Sequence, residues 1–333
     1  MTYPKVSIFI PTYNRANYLP QAIESALAQD YPNLEVVVSD NASMDNTQEV
    51  IKKYMNNPRF KYFRNLENVG LAKNWRKALY TYATGDWALM LSDDDYLLDN
   101  SYISKAIDLT ESDKEIVLVF ANYKIHYYDR NAFKCTNIKL PVIMDGKWAF
   151  WNFWRKDFPG IGNLTALFDR KKALELDAFG RDIISPDTEL WFKLLLIGKI
   201  GFLNDVVAVY RIHGDNQILK VDLDKRLKDI EGITEGARFA MTLGLNKHKV
   251  EAWQKRLTKC LLRSTLHIVL KEGTPKDLKN FIFYICNQSS KYLSIFFERR
   301  ISIKLILFLI RPHFLKGVRN LYQKVSMSKS EDK

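Results

Sequence analysis

Strand-like and helix-like segments alternate from residue 1 to about residue 125 of this chain. Short strand-like runs begin at Lys5, Leu34, Phe60 and Trp87, the second of them rich in β-branched residues, and stretches with apolar residues at helical spacing separate them. Strands that alternate with helices in this way are typical of βα units, in which helices cover a parallel sheet. The pattern therefore predicts an α/β fold with a mostly parallel, doubly wound sheet.

Three consecutive carboxylates, Asp93, Asp94 and Asp95, directly follow the fourth of these strands. Adjacent anions at the end of a buried strand repel one another and lose solvation, so we expect a cation among them. Oxygen ligands suit Mg²⁺ or Mn²⁺, and Mg²⁺ is usually held by one or two carboxylates while phosphates and water complete its shell. The cluster therefore indicates a divalent metal and a phosphate-bearing substrate, with a solvated acidic turn as the alternative.

Polar side chains also mark the ends of the first two strands. Thr12 and Asn14 follow the first strand, and Asp40 follows the second. The carboxyl ends of parallel strands meet at one edge of a sheet, and open α/β sheets bind their ligands at that edge. We therefore expect these side chains to converge with the Asp triplet on one rim.

The basic charge of the chain is unevenly distributed. There are 50 lysine and arginine residues and 38 aspartate and glutamate residues, a net charge of +12. From Lys247 to the C-terminus we count 19 basic and 6 acidic residues, so the 31 basic and 32 acidic residues that remain nearly balance. The surplus belongs to the C-terminal third. We accordingly expect an α/β domain over residues 1–216 and a basic α-helical domain over residues 217–333.

Basic and apolar residues interleave between Lys291 and Lys324. The uncharged run Leu305 to Ile310 is far shorter than the roughly 20 residues that span a bilayer. A basic helix with an apolar face is typical of an interfacial anchor, and cytoplasmic leaflets are anionic. The pattern predicts association with the inner face of the cell membrane, with a helix–helix interface in a homo-oligomer as the alternative. The basic residues concerned are Arg299, Arg300, Lys304, Arg311, Lys316 and Arg319.

The N-terminus and the cysteines indicate a cytoplasmic protein. The first residues run straight into a strand, which predicts a chain without a signal peptide. Cys135, Cys260 and Cys286 are widely spaced and odd in number, which fits a reducing compartment without a disulfide framework. We expect these three side chains to be buried as small apolar groups.

Four segments occur in the order and at the spacing of the landmarks of one enzyme family. They are residues 6–15 (VSIFIPTYNR), 38–47 (VSDNASMDNT), 68–74 (NVGLAKN) and the Asp triplet, residues 93–95. Together they resemble the family 2 glycosyltransferases of the GT-A fold over roughly residues 5–215. The resemblance implies an inverting, metal-dependent transferase that uses a UDP-sugar as its donor.

The resemblance implies roles for residues at the ends of the first two strands. The family's equivalent of Asp40 contacts the uracil, and Pro11, Thr12 and Tyr13 line the base and the ribose. An aspartate can accept a hydrogen bond from the imide N–H of uracil, a donor that cytosine lacks. We therefore expect the nucleotide to lie across these two strand ends.

The acidic cluster is the metal site that the family pattern implies. The first acid of the commonest family form occupies the position of Ser92 in this chain. We assign Asp93 to the ribose and the metal shell, Asp94 as the main ligand of Mn²⁺ or Mg²⁺, and Asp95 as a supporting or acceptor-side group.

Three further side chains are candidates for contact with the donor. Arg15 and Lys73 flank the rim and would offset nucleotide charge, although ordinary solvated surface is the alternative for both. His213 lies in a Tyr-Arg-x-His stretch that resembles the end of the family's catalytic domain. It could contact the diphosphate or the metal, and a structural histidine is the alternative.

The candidate catalytic base lies at a helix start. A proline and two acids open the apolar segment that begins at Pro186, as is common in the first turn of a helix. The segment resembles the family's Glu-Asp motif, with Pro186 where Glu is usual and Asp187 in the position of the base. A capping role is the alternative for Asp187, and Glu189 is the second candidate for the base. We expect the helix N-terminus to favour the ionised form of Asp187.

The features together predict transfer of a sugar from a UDP-sugar to a hydroxyl of a glycan acceptor, by family analogy a lipid-linked or cell-surface polysaccharide precursor. A sugar-nucleotide pyrophosphorylase is one alternative, but it would want a glycine-rich phosphate loop after the first strand, and residues 11–15 contain no glycine. A non-catalytic basic adaptor for membrane or nucleic acid is the other. The nearly neutral N-terminal part argues against it, so we expect no nucleic-acid partner.

Overall fold

The computed structural model describes residues 3–214, 216, 222–288 and 290–298. Strands and helices alternate up to residue 212, and helices follow. The strands are β1 Val6–Thr12, β2 Leu34–Asp40, β3 Phe60–Arg64, β4 Trp87–Met90, β5 Tyr96–Leu97, β6 Ile116–Tyr127, β7 Ala132–Cys135, β8 Ile143–Asp145, β9 Leu167–Asp169 and β10 Lys199–Ile212. The α-helices are α1 Leu19–Leu27, α2 Thr47–Lys52, α3 Leu71–Lys77, α4 Tyr102–Ser112, α5 Gly146–Asn152, α6 Arg170–Glu175, α7 Pro186–Ile197, α8 Leu223–Thr242, α9 Lys247–Glu272 and α10 Pro275–Gln288.

The strands form one mixed sheet in the order β3-β2-β1-β4-β9-β6-β10-β5. The four strands from β3 to β4 are parallel. β9 enters antiparallel between β4 and β6, whereas β6 and β10 are again parallel to each other. β5, β7 and β8 add antiparallel pairs. The predicted α/β class with flanking helices and a helical C-terminal region is confirmed, and the sheet is mixed because β9 and the short strands run against their neighbours.

The central strands are buried on both faces. In β1, Val6, Ile8 and Ile10 belong to a core shared with α1, while Phe9 belongs to the core on the opposite face. Strands covered by helices on both sides have continuous apolar sequences of this kind. Strand ends, where the chain leaves the sheet, are therefore the positions at which polar side chains can collect.

Helices α8 and α9 pack on the sheet domain. Ile233 of α8 and Trp253 of α9 belong to the same hydrophobic core as the sheet face under α5 and α7. The Trp253 ring stacks on Phe150 of α5 with 4.1 Å between ring centroids. A Cβ atom at Gly236 of α8 would lie 2.9 Å from the Phe192 ring of α7, so this glycine permits the close approach of the two helices. The division into domains at residues 216 and 217 stays a prediction.

The basic segment expected to bind membrane lies outside the described residues from Arg299 onward. Within the described ranges, no helix combines the length and the apolar character needed to cross a bilayer. The three cysteines are free. Cys135 and Cys286 are exposed, so the expectation that all three are buried was wrong. Cys135 lies on β7, which pairs only through one edge with β6 and whose other residues are also largely exposed.

Candidate active site

The ends of β1, β2 and β4 form one polar rim. Thr12 lies opposite Asp40 in the parallel register of β1 and β2, and the Asn41 N–H donates to the Thr12 carbonyl at 2.9 Å. On the other side of β1, the Leu91 N–H donates to the Phe9 carbonyl at 3.1 Å. The chain continues from Leu91 into the Asp triplet. The strand order therefore brings the predicted rim together at the end of β1.

Asp93 and Asp95 lie buried against this rim. Burial, followed by the negative charge of Asp94, raises the pKa of Asp93 to about 7, although the positive charge of Arg15 and the Tyr13 backbone oppose the change. The same two causes, in the same order, raise the pKa of Asp95 well above its ordinary value. A cation beside these carboxylates would therefore relieve a repulsion built into the fold.

Asp94 faces residues that follow β10. Its Oδ2 lies 3.1 Å from His213 Nε2 and accepts a hydrogen bond from Asn216 Nδ2 at 3.2 Å. The His213 ring stacks on the Tyr18 ring at 4.4 Å between centroids. The structure thus brings His213 to Asp94 and adds Asn216 and Tyr18, which the sequence interpretation missed, and contact of His213 with the diphosphate or the metal stays a prediction.

Arg211 fixes the backbone of the acidic segment. Its N–H donates to Asp95 Oδ1 at 2.9 Å, and its buried guanidinium donates to the Asp94 carbonyl. A second guanidinium nitrogen donates to Gln21 Oε1 on α1 at 2.9 Å. The sequence had shown Arg211 inside the Tyr-Arg-x-His stretch, but its partners are so remote along the chain that the pattern gave it no role.

The donor atoms at this site fit a divalent metal in part. Among the described residues, no three histidine, cysteine, aspartate or glutamate side chains lie close enough together to hold a metal ion by themselves. Asp93, Asp94 and His213 offer carboxylate oxygens and an imidazole nitrogen, and Mg²⁺ in particular is commonly completed by substrate phosphates and water. The residues therefore fit a metal that arrives with a diphosphate. Asp95 is less available, because Arg211 already occupies its Oδ1.

Asp40 is fully buried and already has several partners. Its Oδ1 accepts from the Ser43 N–H at 2.8 Å, and its Oδ2 accepts from the Tyr62 hydroxyl at 2.7 Å and lies 3.2 Å from Arg64 Nε. A carboxylate oxygen has two lone pairs, so Oδ1 keeps one for a further donor. These contacts shape the turn after β2, and the contact of Asp40 with uracil stays a prediction.

The remaining predicted donor contacts surround the same rim. Pro11 is buried within β1, and Tyr13 is 39% exposed just beyond its end. The positive charge of Arg15 lowers the pKa of Asp93, which places Arg15 beside the acidic cluster. Lys73 lies exposed on α3. Arg15 thus lies within electrostatic range of the acidic cluster, and the contact of Arg15 and of Lys73 with the nucleotide stays a prediction.

An asparagine network joins the end of β2 to the segment before α3. Asn41 Oδ1 accepts from Asn65 Nδ2 at 3.1 Å and from the Val69 N–H at 3.0 Å. Asn74 Oδ1 accepts from the Ser39 hydroxyl at 2.8 Å. The landmark over residues 68–74 therefore holds the rim in shape through its side-chain amides.

Asp187 lies partly buried in the first turn of α7. Burial is the main cause that raises its pKa to about 6, and the negative charge of Asp229 on α8 adds to it against a hydrogen bond from the Thr188 N–H. Burial therefore outweighs the stabilisation of the ionised form of Asp187 that we expected from the helix N-terminus. The second candidate base, Glu189, pairs with Lys193 at 2.8 Å and Arg181 at 3.1 Å.

Tyr210 of β10 is influenced by the charges of both Asp187 and the acidic cluster. After burial, the charges of Asp95, Asp94 and Asp187 each contribute to raising the pKa of its hydroxyl. Because Coulomb interactions weaken with distance, Tyr210 lies in the neighbourhood of both acidic groups. That Asp187 and the Asp triplet act at one site stays a prediction.

A cavity of about 790 Å³ opens beside Asp187. Thr188, the neighbour of Asp187, lies on its wall, and so does Tyr123, whose pKa is raised by burial and then by Asp95. Trp154 lines it with a φ of 57°, an unusual backbone conformation for a bulky side chain. The wall is mixed: it includes aliphatic, polar and acidic side chains such as Asp157, as well as the aromatic and basic residues Trp148, Phe153, Lys134, Lys139 and Lys156.

The mixed sheet and its acidic rim define a protein of the GT-A class. Residues 7–171 match the family described as glycosyl transferase family 2. The chain belongs to this family, so the predicted resemblance is confirmed.

Known proteins agree with this placement. The chondroitin synthase of Pasteurella multocida (strain Pm70) is 31% identical over 229 residues, which are 68% of this chain and 22% of that protein. The chain thus spans about a fifth of the length of that relative. S. aureus TarS 1–349 in complex with UDP-GlcNAc superposes with a TM-score of 0.65 at 16% identity, over 97% of this chain and 92% of that one. Mannosyltransferase PcManGT from Pyrobaculum calidifontis, in complex with GDP-Man and Mn²⁺, gives 0.56 at 19% identity, over 97% and 89%. These two likenesses show the fold.

Proposed function

We propose that the chain is an inverting glycosyltransferase that transfers a sugar from a UDP-sugar to a hydroxyl group of a glycan acceptor. The observation that carries the proposal is that Tyr210 lies within electrostatic range of Asp187 and also of Asp94 and Asp95 in the triplet. Membership in family 2 supports it. Two acidic groups with separate surroundings can take separate roles, one toward the leaving diphosphate and one toward the acceptor.

The donor nucleotide would lie across the ends of β1 and β2. Thr12 and Tyr13 would line the ribose and base, Asp40 would accept from the uracil N–H, and Arg15 would offset diphosphate charge. The TarS complex with UDP-GlcNAc supports a UDP-sugar, because that protein has the same fold. The mannosyltransferase complex contains GDP-Man, so the fold also takes another base, and uridine specificity is a part of the proposal that needs its own test.

Asp94, Asp93 and His213 would hold the metal. A bound Mn²⁺ or Mg²⁺ supplies Lewis-acid stabilisation of the charge that develops on the diphosphate. The Mn²⁺ in the mannosyltransferase complex supports this part of the proposal. Arg211 would keep the acidic segment in position through the Asp94 carbonyl and the Asp95 carboxylate.

Asp187 would accept the proton of the acceptor hydroxyl as that oxygen attacks the anomeric carbon. The attack occurs on the face opposite the departing UDP, which inverts the configuration of that carbon. A carboxylate with a pKa of about 6 is mostly ionised at neutral pH and is more basic than an ordinary aspartate, as a general base requires. The cavity beside Thr188 would hold the acceptor, with Trp148 and Trp154 as surfaces on which a sugar ring can lie.

The acceptor would belong to a polysaccharide or a lipid-linked glycan. The chondroitin synthase relative supports a polysaccharide product. Association with the inner face of the membrane stays a proposal that depends on the basic residues from Arg299 onward, which the structure does not describe. Homo-oligomerisation through the same segment is the alternative.

A panel of nucleotide sugars tests the activity. The purified chain is incubated with UDP-glucose, UDP-galactose, UDP-GlcNAc, UDP-GalNAc, UDP-glucuronate and GDP-mannose, each with and without Mn²⁺, and release of nucleoside diphosphate is measured. We expect Mn²⁺-dependent release of UDP from at least one UDP-sugar. Water takes the place of the acceptor hydroxyl in this assay, so a glycan acceptor is not required.

The variant Asp94→Ala tests the metal site in the same assay. It should lose the Mn²⁺-dependent rate by roughly a hundredfold or more, because a main ligand is missing. Asp108→Ala on the exposed face of α4 is the matched control and should keep the wild-type rate. Formation of UTP and sugar 1-phosphate when diphosphate is added to the UDP-sugar would indicate a pyrophosphorylase, and an unchanged rate in Asp94→Ala would contradict the metal assignment.

A further inference from the structure

Helix α8 contributes a carboxylate to the segment that precedes Asp187. Asp229 Oδ1 accepts from the Ile184 N–H at 2.8 Å and from the Ser185 N–H at 3.1 Å. Its Oδ2 accepts from the Ser185 hydroxyl at 3.1 Å. Three donors from two adjacent residues therefore converge on one side chain that lies more than forty residues further along the chain.

These contacts provide hydrogen-bond acceptors that the residues at the start of α7 do not provide. Ser185 is the N-cap residue that precedes this helix, and its side chain makes no capping hydrogen bond to the first turn. The backbone N–H groups at the start of a helix have no acceptor within the helix, so other groups must accept their hydrogen bonds. The Asp229 carboxylate accepts hydrogen bonds from Ile184 and Ser185, the two residues before α7. It therefore fixes the direction in which the chain enters α7 and hence the position of Asp187, two residues after Ser185.

The rest of the interface holds α8 against α7. A connected ion-pair network joins α7, the segment before it and α8. Its members are Arg181 in that segment, Glu189 and Lys193 of α7, and Glu235 of α8, with Lys193 Nζ 2.8 Å from Glu189 Oε1 and Arg181 2.8 Å from Glu235. Asp229 lies two turns before Glu235 on α8, at the end of the interface that meets Asp187. The helix is therefore anchored independently of Asp229, and a change at this residue should act locally.

We propose that Asp229 is a positioning residue for the reaction, through which the C-terminal helical region holds the segment that carries the general base. The proposal rests on the proposed function of Asp187. It assigns to α8 a part in the reaction that is separate from any membrane binding by the residues that follow.

Charged and titratable groups surround this pair from several elements. Asp229 faces Arg226 on its own helix: burial lowers the pKa of Arg226, and the charge of Asp229 partly opposes this. Asp187 faces Asp229 from α8 and the hydroxyl of Tyr210 from β10. Asp222, at the start of α8, also acts on Arg226. Substitution of Asp229 therefore removes a negative charge next to Asp187 without changing any residue of β10.

Two substitutions separate the position of the base from its charge environment. Asp229→Asn keeps a side-chain oxygen for the Ile184 and Ser185 N–H groups but removes the negative charge, whereas Asp229→Ala removes both. Asp224→Asn, an exposed carboxylate on the same helix, is the matched control. The full chain is assayed with Mn²⁺ and saturating amounts of the UDP-sugar that releases UDP fastest, from about pH 5 to pH 8.

We expect Asp229→Ala to lower kcat by roughly tenfold or more with KM for the UDP-sugar unchanged, because a misplaced base affects the chemical step and leaves donor binding intact. Asp229→Asn should keep most of kcat and move the acidic limb of the kcat profile to lower pH. Asp224→Asn should match the wild type in both respects. Wild-type kcat and an unmoved limb in both Asp229 variants would overturn the proposal.

The failure of this proposal and that of the proposed function have different signatures. If Asp187→Asn releases UDP at the wild-type rate, the assignment of the base fails and the positioning role fails with it. If Asp187→Asn is inactive while Asp229→Ala and Asp229→Asn behave as the wild type, only the positioning role fails. Should Asp229→Ala not fold, the pH profile of Asp229→Asn and the kcat of Ser185→Ala, which removes one donor to Asp229, carry the test.

Discussion

At the scale of single residues, the carboxyl group of Asp187 must lose its proton to act as a base, yet its surroundings favour the protonated form. Burial and the charge of Asp229 raise its pKa to about 6. A base with a pKa just below the working pH combines a high ionised fraction with a high affinity for the proton that it accepts. The balance of burial and charge at this one residue therefore sets the range of pH over which the enzyme would work.

The rate of the proposed reaction should fall on the acidic side of about pH 6. Asp187 is ionised above its pKa and protonated below it, so kcat should be nearly constant above about pH 7 and fall about tenfold for each unit below pH 6. The measurement is UDP release at saturating Mn²⁺ and UDP-sugar across this range. A kcat that stays constant down to about pH 5 would contradict the raised pKa.

Asp187→Asn should also make the folded protein more stable near pH 7.5. A carboxyl group with a raised folded-state pKa destabilises the fold at every pH above that value, and the effect disappears below the ordinary pKa, where both states are protonated. After allowance for partial exposure, we expect a gain of about 1 to 2 kcal/mol. Thermal unfolding should show a higher Tm for the variant at pH 7.5 and a much smaller difference near pH 4. A lower Tm at both pH values would show that the carboxylate stabilises the fold instead.

Sequence alone located the acids of the site but not the side chains that orient them. The Asp triplet and Asp187 stand in recognisable local patterns, and Tyr210 lies within electrostatic range of both groups. Arg211 and Asp95 are 116 residues apart, and Asp229 acts on Ser185 from a different region of the chain. Such contacts depend on the tertiary fold, which a local pattern does not contain.

At the scale of elements, the sequence predicted the first four strands better than the later ones. The parallel strands β1, β2 and β4 have continuous apolar sequences because helices cover both faces. β5 has two residues, and β10 is interrupted by register shifts near Val206 that break its alternation. Helix α7 is buried almost all round, so apolar residues such as Leu190, Trp191 and Phe192 follow one another without an exposed stripe. Burial from every side removes the periodicity on which a sequence prediction depends.

Trp253→Ala should destabilise the whole protein. The Trp253 ring is 3% exposed, stacks on Phe150 and donates its indole N–H to the Phe150 carbonyl at 2.7 Å. Loss of a buried aromatic ring of this kind lowers the free energy of unfolding by about 3 to 5 kcal/mol. Phe283→Ala on α10, where the ring is 68% exposed, is the control and should change it by about 0.5 kcal/mol or less. Urea unfolding measures both, and equal effects would contradict the packing of α9 on the sheet domain.

At the scale of the whole molecule, the C-terminal helices and the sheet share one hydrophobic core. Ile233, Trp253 and Leu257 lie in the same cluster as Phe150 and Phe192. The first part of the helical region therefore completes the domain that carries the rim, whatever the segment beyond residue 298 does. This arrangement makes α8 a natural source of contacts for the candidate base.

A chain that ends at residue 216 should not unfold cooperatively. Without α8 and α9, the apolar surfaces of α5 and α7 would face water, and buried side chains such as Phe150 and Phe192 would be exposed. We expect this fragment to aggregate or to melt over a broad range, while the full chain shows one sharp transition. Circular dichroism during heating distinguishes the two. A fragment with the Tm and the sharp transition of the full chain would show that the domains fold independently at this boundary.

The most direct test of the central claim compares UDP binding and sugar transfer in Asp187→Asn. The claim is that the rim holds the nucleotide while Asp187 serves only the incoming hydroxyl. With Mn²⁺ present, the variant should bind UDP within about twofold of the wild-type Kd and should lose UDP release from the UDP-sugar by roughly a thousandfold. Release at the wild-type rate, or loss of UDP binding together with release, would contradict the account.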